Sequence, residues 1–149
     1  MKRATKNRII TIFIALIFIG STAAFSILSS FENIRESYTN WKAQIIIVIY
    51  GEQYPIPSNI GIENNKTKAK VYTGNTNGII YKTVSEDITL KDFFDTWGQT
   101  FNSTCILEYC NTNTSSLAMY VWQGNKWVEN FDYEYYKINN NDIILIDYR

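Results

Sequence analysis

The side chains in this chain whose type and spacing could do chemistry are few, and Cys105 and Cys110 come first. A thiol pair can exchange electrons, hold a soft metal or close a structural disulfide. The spacing is C-x4-C rather than the C-x-x-C of redox motifs. Two thiolates without histidine make a poor metal site. The disulfide is therefore the expectation, with redox activity and metal ligation as its alternatives. The 149 residues include no histidine. That excludes His-based triads, HExxH zinc sites, histidine copper sites and a histidine pH switch. Asp87, Asp92 and Asp95 put carboxylates on or beside one predicted helix. Asp92 and Asp95 share a helical face, but it is the wet face, where solvated charge is the ordinary outcome. No catalytic, cofactor or metal residue is assigned, and the chain is not expected to be an enzyme.

The segment that must position these groups is Asp87 to Cys110. Leu90, Phe93, Phe94 and Trp97 fall at i, i+3, i+4 and i+7, one apolar stripe of a short helix. Thr89 is a good N-cap, Asp92 completes a weak capping box, and Gly98 fits a left-handed stop. Ile88 and Phe93 have the spacing of a hydrophobic staple. So apolar a stripe on so short a helix predicts a sheet beneath it.

The address lies upstream. Lys2, Arg3, Lys6 and Arg8 precede Ile9 to Leu28, twenty residues without a charge. At 1.5 Å per residue that is about 30 Å, a bilayer core. Residues 1–8 read as a cytoplasmic basic tail and 9–28 as a transmembrane helix, with the C-terminal domain outside. The rival is a cleaved signal peptide, Ile9 to Gly20, with its cleavage site among Ser21, Thr22, Ala23 and Ala24. Both place the body in an extracytoplasmic, oxidising compartment, where a cysteine pair forms a disulfide. Residues 29–41 read as a stalk or linker. Outside the basic tail, ten basic and fourteen acidic residues remain, and an acidic body argues against nucleic acid as a partner.

Residues 42–149 read as one folded domain, since hydrophobic content is 46% and charged content 19%. Gln44 to Tyr50 is apolar on both faces, as in a central strand. Gly51-Glu52 offers a II′ turn, and Pro55 and Pro57 confine the return arm to an edge. Ile60 and Ile62 are candidate core. Glu63 to Lys70 reads as polar loop, and Ala69 to Thr73 and Ile79 to Val84 as strands. Leu117 to Trp122 reads as a strand turning at Gln123-Gly124-Asn125. Asn139 to Asn141 turns the chain into Asp142 to Tyr148, a terminal strand expected beside Gln44 to Tyr50. Trp127, Tyr133, Tyr135 and Tyr136 are expected to pack on a small sheet; the alternative is an exposed sugar- or protein-binding face. Asn65, Asn102 and Asn113 each open an N-x-Ser/Thr sequon, consistent with a glycosylated surface.

The pieces ITLKDFFDTWG, LAMYVWQGNKW and INNNDIILIDY resemble the transcobalamin-tail or SLBB-type β-grasp modules. The body from Lys42 is also similar to small, membrane-anchored, uncharacterised proteins of ammonia-oxidising archaea, in which a segment like Phe101 to Cys105 follows the same helix. Gln123 departs from the hairpin Asn of the pattern, and Tyr72, Tyr81 and Lys82 stand where relatives carry histidines. The resemblance implies an α+β fold: a mixed sheet of about four to six strands on one short helix, β-grasp-like, behind an N-terminal transmembrane helix. It carries over no catalytic residue. The expected function is a non-catalytic, membrane-anchored binding or interaction module with an envelope or membrane protein as partner. The alternative is an accessory single-helix subunit of a membrane complex, with Gly20, Ser21, Ala23 and Ala24 allowing close helix approach.

Overall fold

A computed structural model describes residues 40–149 with the exception of Asn65. The expected tail, transmembrane helix and cleavage site, most of the stalk, and the Asn65 sequon lie outside the described residues. Among the described residues no helix is long and apolar enough to cross a membrane.

The chain runs β1 (Lys42–Ile49), β2 (Glu52–Tyr54), β3 (Ile62–Glu63), β4 (Lys66–Thr67), β5 (Val71–Thr73), β6 (Ile79–Lys82) and β7 (Ile88–Thr89) into helix α1 (Leu90–Trp97). It continues through β8 (Cys105–Ile106), β9 (Tyr109–Cys110), β10 (Leu117–Gln123), β11 (Lys126–Glu129), a 3-10 turn (Tyr133–Tyr135), β12 (Lys137–Ile138) and β13 (Ile143–Tyr148). The architecture is α+β: a mixed seven-stranded sheet and, among the described residues, one short α-helix.

The sheet is built outward from β1 and β13, which pair in parallel with Ile45 opposite Ile144 and Ile47 opposite Ile146. Two β-branched runs can occupy the centre because neither needs a wet face. β10 flanks β13 antiparallel, and β11 closes that side. The other edge of β1 is shared: β6 pairs with Lys42 to Gln44, and β2 with Ile47 to Ile49. Between them Gly78 abuts the strand, its carbonyl accepting from the Ile45 amide at 2.9 Å.

Alternation decides which side chains go in. Ala43, Ile45, Ile47 and Ile49 of β1 are buried, as are Ile144, Ile146 and Tyr148 of β13 and Leu117, Met119 and Val121 of β10. α1 adds Leu90, Phe93 and Phe94 to the same core, with Trp97 packed at its margin. The Thr89 hydroxyl accepts from the Asp92 amide at 3.2 Å, and the Asp92 carboxylate accepts from the Thr89 amide at 2.8 Å. Gly98 takes φ 73° and ends the helix. Trp41 is a first packing residue, buried next to β1.

Several expectations are corrected. The sheet has seven strands rather than four to six. The first hairpin turns at Tyr50-Gly51, not Gly51-Glu52, because both residues take positive φ, 53° and 83°, as a I′ turn requires. Glu63 to Lys70 contains the small β3–β4 ladder. The strands expected from Ala69 and to Val84 are shorter, Val71–Thr73 and Ile79–Lys82. Asp92 is not simply a wet-face charge: it is half-buried in the capping box. Ile62 is only half-buried, whereas Ile60 is core.

The turn before β13 is held by one carboxylate. Asp142 Oδ2 accepts from the Asn139 amide at 2.7 Å and from the Tyr136 hydroxyl at 2.9 Å. Burial, then this bond and the charge behind it, push the Tyr136 phenol up to about 12. A phenol whose pKa rises on folding stabilises fully below its unfolded value, near 10, and stops doing so as pH climbs through the folded one. Unfolding free energy is therefore expected to fall between about pH 10 and about pH 12 through this group. Urea titrations of the parent and of Tyr136→Phe check this: the variant lacks that component of the decline.

Candidate functional site

The cysteines sit in the β8–β9 hairpin, directly opposite each other in its register. Their sulfurs are at disulfide distance, 2.04 Å. The hairpin tip uses Leu107 at φ 54°, an uncomfortable value for a leucine. It is tolerated because the Leu107 side chain is buried in the core. The crosslink and this anchor together fix the next residue but one, Tyr109. Closing a loop this short contributes about 2 kcal/mol on the chain-entropy estimate. Cys105→Ser/Cys110→Ser is expected to lose that amount in urea unfolding while keeping the sheet's circular dichroism.

Tyr109 faces the β1–β2 hairpin. Its ring meets Tyr50 edge-on at 6.0 Å and lies 5.6 Å from Tyr148. Tyr50 meets Tyr148 edge-on at 5.3 Å. Tyr148 is the buried floor of the group, its hydroxyl donating to the Cys110 carbonyl at 2.6 Å. Burial holds that phenol above its ordinary pKa, and the neighbouring Tyr50 hydroxyl adds to the effect. Between the two hairpins lies an open cleft of about 420 Å³, with Tyr50, Glu52, Tyr54 and Tyr109 among its walls.

Tyr50 is the residue that needs explaining. A I′ turn favours Asn, Asp or Gly at this place, and a bulky residue there costs of the order of 1–2 kcal/mol. The residue is nevertheless 61% exposed. The contacts with Tyr109 and Tyr148 offset part of that cost. What the turn achieves is an aromatic ring standing over the cleft.

A second concavity, about 300 Å³, lies at the start of β1 and β13. Two of its polar groups are engaged within the fold: the Gln44 amide donates to the Asn77 carbonyl, and Asp142 holds its turn. It reads as a structural gap at the sheet's end.

The other expected site residues separate. Asp95 pairs with Lys91 at 2.8 Å and Asp87 with Lys137 at 3.3 Å, both at the surface. Asn102 Oδ1 accepts from the Thr104 and Cys105 amides, each at 2.9 Å, so this sequon asparagine shapes the approach to the disulfide hairpin. Asn113 is exposed. Of the aromatic segment, Tyr133 and Tyr136 pack on the core, but Tyr135 is 71% exposed. Trp127 stands directly opposite Trp122, ring centroids 5.2 Å apart, both partly exposed. The packing expectation thus holds for Tyr133 and Tyr136 on the core and for Trp127 as a cross-strand ring pair, and fails for Tyr135.

The tyrosine cleft was not legible in the sequence. Its walls come from residues 49–55 and Tyr109, far apart in the chain. The one local signal was a tyrosine directly before the hairpin glycine, a place that ordinarily favours Asn or Asp. No protein-family model, curated protein or solved structure matches the chain.

Proposed function

We propose that the chain is a non-catalytic binding module with a β-grasp-like body, held outside the membrane by residues 9–28. The β-grasp reading is supported by the parallel pairing of the first and last strands, with antiparallel partners on both flanks. A cysteine pair at disulfide distance fits an oxidising compartment. The observation that carries the binding role is Tyr50: an exposed tyrosine on a left-handed backbone position beside an open cleft is expensive as packing and sensible as a contact.

The test is a photo-crosslinking amino acid placed at position 50 of the full chain in its native membrane, with position 113 as control. A discrete crosslinked product from position 50 and none from 113 is expected. No product from position 50, or equal products from both, overturns the reading.

The second reading is an accessory subunit of a membrane complex with an envelope or membrane protein partner. It draws on the sheet face away from α1, where Ile46, Val48, Ile143 and Leu145 are only half-buried. That row continues toward the partly exposed Trp122 and Trp127. Native mass measurement after gentle detergent extraction checks it. A chain of monomer mass sinks the accessory-subunit reading.

A further inference from the structure

We propose that the Tyr50–Tyr54–Tyr109 cleft binds an organic cation, the alkylammonium group of a small molecule or of a lysine side chain. This rests on the reading of the cleft as a binding site and adds the sign and chemistry of what enters it. Glu52 is the one charged side chain among the cleft's walls, and no basic residue lines it. Glu52 takes part in none of the ion pairs among the described residues, which engage Glu63, Glu86, Asp87, Asp95 and Asp147. A second carboxylate, Glu108, immediately precedes Tyr109 at the exposed tip of the disulfide hairpin.

The rings supply the rest. An aromatic face carries the negative end of a quadrupole and attracts an alkylated ammonium within about 6 Å of its centroid. Tyr50 and Tyr109 stand at 85° to each other, so they cannot stack into a closed pair. The Tyr148 hydroxyl beneath them is committed to the Cys110 carbonyl. An anion would meet Glu52 and the ring faces at a cost. A neutral apolar group would gain nothing from the exposed carboxylate of Glu52. A cation with alkyl substituents meets both.

The full chain, with its tyrosine rings isotopically labelled, is titrated with choline and with its uncharged isostere, in which tert-butyl replaces trimethylammonium. A second arm compares a blocked lysine with a blocked norleucine. The cations are expected to shift the Tyr50, Tyr54 and Tyr109 resonances at least about tenfold more tightly than their neutral counterparts. Glu52→Gln is expected to weaken cation binding about fivefold, and raised salt to weaken it further. Tyr50→Asn suits the I′ turn, so it is expected to abolish binding with Tm within about 5 °C of the parent. The tighter arm identifies the source of the cation. Equal binding of cation and isostere, or no shift with either cation, overturns the proposal. If crosslinking from position 50 persists in that case, the binding-module reading stands and only the cation assignment falls.

Discussion

Phe94→Ala is expected to lower the unfolding free energy by about 3–5 kcal/mol. Phe94 is among the fully buried side chains, stacked on Phe101 at 4.6 Å and edge-on to Phe93 at 5.3 Å. Truncation removes the transfer energy of a ring and leaves a cavity that neighbouring rings cannot fill without leaving their own contacts. A domain of this size has only about 5–15 kcal/mol to lose. The urea midpoint reports the loss. Phe94→Leu, which keeps most of the volume, is expected to lose less than half as much. Equal losses for the two would mean that the ring is not closely packed.

Gly78→Ala is expected to cost more than about 3 kcal/mol, an unusually large effect for one methyl group. Gly78 has φ 73°, and a Cβ there would lie 2.1 Å from the Ile45 carbonyl oxygen, a backbone atom in the centre of the sheet. Two penalties add: an L-residue in the left-handed region, about 1–2 kcal/mol, and a clash that backbone can relieve only by moving β6 away from β1. Gly124→Ala separates them. Its φ is 71° with open space around the position, so it is expected to show the first penalty alone. Similar losses for both variants would remove the close approach from the account.

Local signals carried the helix and the sheet's centre. The Leu90-Phe93-Phe94-Trp97 stripe, the Thr89 cap and the Gly98 stop all reappear in α1, because each depends on neighbours three or four residues away. The apolar runs at Ile45 to Ile49 and Ile143 to Ile146 announced two interior strands, and the structure pairs them. What escaped depended on tertiary context. The split edge of β1, shared by β2 and β6, is set by where Gly78 can approach. The I′ turn escaped because Tyr50 is a poor residue for it by every local rule. The cleft escaped because Tyr109 reaches Tyr50 only once the disulfide hairpin is docked.

The parallel union of β1 with β13 also dictates an order of events. A polypeptide is delivered amino end first, and Ile45 must wait for Ile144, almost the whole body later. Until Tyr148 arrives, the innermost ladder has no partner on one side, and the greasy run from Ile45 to Ile49 stays adhesive. Such high contact order means slow closure. A nascent body of this design stays open for the length of its synthesis, and a chain stopped short of Ile143 is expected to be a substrate for proteolysis rather than a smaller working version.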